Sequence, residues 1–188
     1  LQILQRRKGH RATSDDVILA GVAAEAAPGA RRVLDLGTGK GTVALLLARA
    51  LPEAALVGVE AFPQSHALAV RNAALNGLSG RYRPLLGDLR EAAVLAGEAP
   101  FDLICGAPPF MPLGAGVLPR DPQRAAGRFE LRGGVEGYAA AAARHLAPGG
   151  RVVLLMDGHG GERLDAALRA EALGARQRLS VHPRPGAP

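Results

Sequence analysis

Short unbroken apolar runs alternate along this chain with stretches whose apolar positions recur every three to four residues. The runs within RRVLDLG, ALVGVE, FDLICG and GRVVLLM read as buried strands at 32–36, 55–60, 101–106 and 150–156. A further strand is expected at 82–86 and a last one in RLSVH, 178–182. Helices fill the intervals. One spans 17–26, capped by Ser14, Asp15 and Asp16 and closed by Pro28-Gly29. VALLLARAL, GYAAAAARHL and ERLDAALRAEAL are three more, and PQSHALAVRNAALNG carries Pro63 in its first turn and Gly77 at its end. The segment 107–132, rich in Gly and Pro, reads as a long loop, and loops of that length are often functional. Alternating strand and helix with short turns predicts one α/β domain over 1–188 with a doubly wound, mostly parallel sheet. No internal repeat or inter-domain linker is visible.

The first strand runs into DLGTGKGT, Asp35 to Thr42. A phosphate loop needs G-x-x-x-x-G-K-[ST]. Five positions before Gly39 stands Leu34, a strand residue, and Gly41 follows Lys40, so that loop cannot form. A dinucleotide loop needs G-x-G-x-x-G, but position 42 is Thr and the third glycine comes one place early, at Gly41. The D-x-G-x-G-x-G pattern resembles that of S-adenosyl-L-methionine (AdoMet) methyltransferases. The expected fold is therefore the Rossmann-like one of class I methyltransferases. Asp35, Gly37, Thr38, Gly39 and Gly41 would surround the methionine part, with Asp35 meeting its cationic amino group. Side-chain-free residues let a ligand approach the backbone, and the next helix opens there with unpaired N–H groups. Glu60 ends the second strand, 21 residues after Gly39, where a carboxylate can accept hydrogen bonds from both ribose hydroxyls. Phe62, with Ala61 beside it, is placed to lie against adenine, and Asp88, beside Leu89, to take the adenine amino group.

The fourth strand ends in GAPPF, Gly106 to Phe110. Methyltransferases of exocyclic or amide nitrogens carry Asn-Pro-Pro-Tyr or Asn-Pro-Pro-Phe at this place. Prolines hold a rigid turn without competing N–H groups. A carbonyl of that turn accepts from the target amine, and the aromatic ring stacks on the base. Here the resemblance assigns Ala107, Pro108, Pro109 and Phe110 to substrate positioning, with Ala107 standing where the family has Asn. The leader QRRKGHRATSDDVILA and the segments RNAALNGL and DPQRAAGRFELRGGVEGY resemble bacterial adenine-N6 methyltransferases that modify valine tRNA. Arg11 and Asp15 keep their places in the leader, whereas His10 and Ala12 replace the usual aromatics. The resemblance implies methylation of an adenine amine in tRNA or another RNA, with AdoMet as cofactor and S-adenosyl-L-homocysteine as product. A protein amide, guanine or small-molecule substrate is the alternative, and a catalytically silent AdoMet-fold subunit binding RNA or a partner is another. The resemblance also implies further sheet beyond the PRPG segment, so the C-terminal strands are expected to be cut short.

Charge adds a partner. The formal net charge is +6, and Lys8 and Lys40 are the sole lysines. Arginine suits bidentate phosphate contacts. Arg6, Arg7, Lys8 and Arg11 of the basic leader 1–13 are the expected nucleic-acid contacts, with Arg120, Arg124 and Arg128 of the long loop as second candidates. Lys40, in the first turn of a helix, opposes the macrodipole there and is expected to be solvated, with the AdoMet carboxylate or an RNA phosphate as the alternative partners. One cysteine, Cys105, forbids an intrachain disulfide and suits a reducing cytoplasm, the expected location. The leader lacks the apolar core of a signal peptide, and no run reaches the length of a membrane span, so no membrane association is expected. The five histidines show no metal-ligand spacing, and no metal is assigned.

Overall fold

The computed structural model describes residues 1–182. The PRPG segment, beyond which further sheet is expected, lies outside the described residues. Five parallel strands form the sheet in the order β3-β2-β1-β4-β5: β1 Arg32–Leu36, β2 Ala55–Glu60, β3 Tyr82–Leu86, β4 Phe101–Gly106 and β5 Leu146–Leu154. The chain winds outward from β1 through β2 to β3, then returns to add β4 and β5 on the other side. The strand order therefore reverses beside β1, and the crevice between the carboxyl ends of β1 and β4 is the ligand position such sheets favour. Register places Asp35 level with both Gly58 and Cys105, and Leu36 level with Gly106.

Period-two alternation sends Val33, Leu56, Leu103 and Cys105 to one face of the sheet. They pack there with α1 Ser14–Ala26 and α2 Thr42–Ala50. Leu34, Leu36, Val57, Val59 and Ile104 face the other way, against Tyr138, Ala141 and Ala142 of α5 Val135–His145. Burial on both faces is why these strands read as continuous apolar runs. Truncating Leu34, which is fully buried, to Ala would cost about 2–5 kcal/mol. The α6 helix, Gly161–Ala170, packs on α5 through Ala167 and Leu164.

The departures from expectation have local causes. The α1 helix starts at Ser14, because Thr13 takes the cap position and its N–H donates to Asp16 Oδ2 at 3.1 Å. The segment 107–132 is not all loop. It holds a short helix, α4 Pro122–Ala126, capped by Asp121, which accepts from Arg124 N at 3.0 Å, and a bridge between Met111 and Phe129. In β5, Leu146 pairs with Phe101 before a register shift, so the strand begins earlier than the 150–156 run suggests. The predicted strand at 178–182 does not form: among the described residues it has no strand paired beside it, and Leu179 and Val181 are exposed.

The leader is fastened across the domain. On α3 Pro63–Leu75, Asn72 accepts from Leu4 N at 2.7 Å and donates to Leu4 O at 3.0 Å. Its amide also donates to Lys40 O in the glycine loop at 2.9 Å. Farther on, Arg6 pairs with Asp121 at 2.7 Å, and Gln123 Oε1 accepts from Arg6 Nη1 at 3.3 Å and His10 N at 3.2 Å.

Candidate cofactor crevice

One crevice opens at the carboxyl edge of the sheet. Of the residues expected there, Asp35, Gly37, Thr38, Gly39, Glu60, Ala61, Phe62, Asp88, Leu89, Ala107 and Pro109 line it. Gly41 lies behind, with φ +86, where a side chain would meet the Tyr82 ring at 3.0 Å. Pro108 is buried beneath the turn and Phe110 is exposed beyond the crevice. The leader cations do not line it: Arg7, Lys8 and Arg11 are exposed, and Arg6 is engaged with Asp121.

The glycine loop is held by its neighbours. Thr38 N donates to Val59 O at 2.9 Å, and Gly39 N to Glu60 Oε2 at 2.8 Å. Thr38 sits over Gly58, where any Cβ would stand 2.8 Å from its side chain. At Gly39, with φ +60, a Cβ would find nothing nearer than Gly37 O at 4.0 Å, so the outer face of that backbone is open. Gly37 is different: the Tyr138 hydroxyl occupies the space a side chain would need, and the same ring edge lies against Gly106.

Asp35 is 2% exposed. Burial raises its pKa to about 7, against the opposing hydrogen bond from Thr38 Oγ1 at 2.5 Å. Thr38 Oγ1 also meets Tyr82 Oη at 2.8 Å. Burial likewise raises Glu60, although Phe62 N at 2.6 Å and Gly39 N both donate to its carboxylate. A carboxylate has further lone pairs for a ribose. Asp88 is held low by its hydrogen bonds from Arg90, at 2.7 Å from Nη2, and so presents an already paired carboxylate.

Lys40 overturns its expectation. It is 4% exposed and lines the crevice, 3.9 Å from Asp16. The leader and α1 close over it, which the local helix signal did not reveal. Sequence reasoning also missed His10, Asp16, Gln123 and Tyr138 as lining residues, and Tyr82 behind the loop. Only the DPQRAAGRFELRGGVEGY resemblance pointed toward Gln123 and Tyr138. The Tyr138 hydroxyl makes no hydrogen bond among the described residues and opens onto the crevice.

Comparison with known proteins agrees with this architecture. A release factor glutamine methyltransferase of Deinococcus radiodurans is 37% identical over 146 residues, 73% of this chain and 50% of that protein. A tRNA1(Val) (adenine(37)-N6)-methyltransferase of Porphyromonas gingivalis is 35% identical over 149 residues, 77% of this chain and 58% of that protein. The crystal structure of TrmN from Thermus thermophilus superposes with a TM-score of 0.58 at 28% identity, covering 80% of this chain and 40% of that one. The chain thus spans about half the length of the curated relatives it matches. Residues 16–117, more than half of the chain, match the methyltransferase small domain, and the chain belongs to that family.

Proposed function

We propose that this chain is an AdoMet-dependent methyltransferase domain acting on a planar nitrogen, with an adenine amine of tRNA as the leading substrate. The observation that carries the reading is the crevice itself: a glycine loop with one open backbone face, the buried carboxylate of Asp35, the half-buried one of Glu60 and a proline turn meet at the carboxyl edge of the sheet, beside the β1/β4 switch point. These residues fit the cofactor. The open Gly39 backbone would lie along the methionine chain, Asp35 would take its ammonium, Glu60 the ribose, and Phe62 with Asp88 the adenine. AdoMet, when bound, supplies an electrophilic methyl group on a sulfonium.

The chain's own contribution is alignment, which can lower a barrier by roughly 7–11 kcal/mol when the geometry is a near-attack one. The Pro108-Pro109 turn offers carbonyl acceptors to the substrate N–H, and Phe110 offers a ring face to a splayed base. Arg7, Lys8 and Arg11 stand exposed for phosphates. The protein-amide reading keeps a footing in the release factor glutamine methyltransferase relative.

Incubation with tritiated-methyl AdoMet, separately with unmodified tRNA and with a protein extract, tests the assignment. Label in N6-methyladenosine after tRNA digestion is the expected result. Label in protein alone favours the amide reading, and binding of AdoMet without transfer to any pool favours the silent subunit.

A further inference from the structure

The arginines around the crevice divide into two sets. Arg6 is paired with Asp121, Arg90 with Asp88, and Arg163 with Glu130 and Glu136. Arg124, Arg128 and Arg132 are exposed, and their guanidinium groups make no hydrogen bond or ion pair among the described residues. These three recur at every fourth residue of the stretch 121–132. Both carboxylates of that stretch, Asp121 and Glu130, are taken by arginines from elsewhere, Arg6 and Arg163. Its own arginines are left without a neutralising partner.

The stretch is held so that these side chains stand along the mouth of the crevice. Gln123, Ala125 and Phe129 are buried on its inner side, and Gln123 donates to Ser65 Oγ at 3.0 Å. Arg128 O accepts from Met111 N at 3.0 Å, which ties the stretch to the residue that follows the Pro108-Pro109-Phe110 turn. Charge effects on neighbouring groups locate the two ends of the row. Burial and Lys40 lower the pKa of His10, a crevice residue, and Arg128 and Arg124 push the same way, against Asp16. At the other end Arg132 itself lines the crevice. Its charge opposes the rise that burial gives Glu60, and it adds to Arg90 in holding Asp88 low. The row thus runs from the His10 side of the opening to the Glu60 and Asp88 side. Lys40, which also lines the crevice, is buried inside it and takes no part in the row.

Unneutralised guanidiniums in a row repel one another, and a repeating anion laid across them relieves the repulsion. Their planar forks match phosphate oxygens. A single carboxylate on a protein substrate would satisfy one of them and leave the others as they are. We propose that Arg124, Arg128 and Arg132 form a phosphate rail over the crevice mouth, which holds an RNA strand on both sides of the nucleotide whose base enters. The inference rests on the nucleobase reading of the crevice and adds where the strand is gripped: at the opening itself, by a segment other than the leader. The role of the rail is register, because it fixes the backbone beside a base that has left its stack.

Filter binding of unmodified tRNA over a salt series, with steady-state methyl transfer to the same RNA, tests the rail. Replacing Arg124, Arg128 and Arg132 by Gln together should reduce the log–log salt slope by up to about 2–3 and lower kcat/KM for tRNA by about tenfold or more. Affinity for S-adenosyl-L-homocysteine, measured by calorimetry, should stay at the wild-type value. Arg132→Gln alone should reduce the slope by up to about 1, and should lower transfer more than it lowers RNA affinity. Arg49→Gln, an exposed arginine in the last turn of α2, should change neither. An unchanged slope with unchanged tRNA methylation in the triple variant overturns the rail. So does a loss of S-adenosyl-L-homocysteine affinity that accounts for the loss of transfer, which would make Arg132 a cofactor contact. Wild type that labels protein and not tRNA, with that labelling reduced in the triple variant, overturns it in favour of an acidic protein surface. Wild type that binds S-adenosyl-L-homocysteine and shows no salt-dependent affinity for tRNA overturns the rail while the cofactor reading stands. Wild type that grips tRNA through these arginines but binds no S-adenosyl-L-homocysteine removes the cofactor reading and leaves the rail.

Discussion

Glu60 Oε2 accepts the Gly39 N–H at 2.8 Å, so the carboxylate that ends β2 braces the glycine loop of β1 as well as facing the crevice. Removing it therefore acts twice. Glu60→Ala should weaken S-adenosyl-L-homocysteine by about 1–3 kcal/mol and lower the melting temperature, because Gly39 N–H and Phe62 N–H lose their acceptor. Glu60→Gln retains one acceptor and should fall between. Calorimetry and thermal unfolding on the three proteins check this, and unchanged affinity would mean the ribose is held elsewhere.

The burial of Asp35 has a pH signature. Its folded pKa, about 7, lies above the ordinary 3.8. The ligand-free fold thus binds this proton more tightly than the unfolded chain does. Its contribution to stability is fully present below the unfolded value and is lost as pH rises through the folded one, by at most about 4 kcal/mol. Asp35→Asn should flatten that decline between roughly pH 4 and pH 7, and leave the ligand-free chain more stable than wild type near pH 8. Urea unfolding across the range measures the difference. The same variant should bind S-adenosyl-L-homocysteine at least about tenfold more weakly, since the ammonium loses its charged partner.

Tyr138 offers a split between stability and function. Its hydroxyl fills the space over Gly37 yet makes no hydrogen bond among the described residues. Tyr138→Phe should keep or raise the melting temperature, because it deletes an unpaired polar group from a buried ring. It should lower cofactor affinity or turnover if the hydroxyl serves the ligand. A variant with both properties unchanged would make Tyr138 a packing residue.

Gln123 ties the leader down. It is buried, donates to Ser65 Oγ at 3.0 Å and accepts from Arg6 and His10 N. Gln123→Leu leaves those groups unsatisfied and should cost about 1–3 kcal/mol. Limited trypsin digestion should then cut at Arg6, Arg7 or Lys8 sooner than in wild type, while the sheet stays protected.

The exposed leader cations make a separate prediction about RNA. Filter binding of tRNA should weaken linearly in log–log form with salt, by about 0.7–0.9 in slope for each phosphate neutralised. Replacing Arg7, Lys8 and Arg11 by Ala together should reduce that slope by up to about 2–3. A slope that the replacement leaves intact would move the phosphate contacts elsewhere, with Arg120, Arg124 and Arg128 the next to test.

Much of this architecture was legible because the sheet is covered on both sides. Buried strands write themselves as apolar runs, so β1, β2 and β4 fall where the sequence puts them, and the edge strand β3 also matches its expected bounds although Arg83 and Leu86 are exposed. The crevice residues at strand tips were legible for the same reason: a strand's end fixes where its last side chain sits. Lys40 was misread because its surroundings are assembled from α1 and the leader, distant in sequence. Tyr138 and Gln123 escaped notice on similar grounds, since each reaches the crevice through tertiary packing alone. RLSVH shows the converse error, an alternating pattern that satisfies the local rule and finds no strand beside it among the described residues.

The three hydrogen bonds of Asn72 join the amino-terminal strap, α3 and the backbone of Lys40 through one side-chain amide. That rivet makes the strap around Leu4 a lever on the pocket. A fluorophore attached to the strap pulls within a few residues of the Lys40 carbonyl, so labelling there is a perturbation in its own right. A probe placed on it would, by the same linkage, register a ligand arriving at the loop.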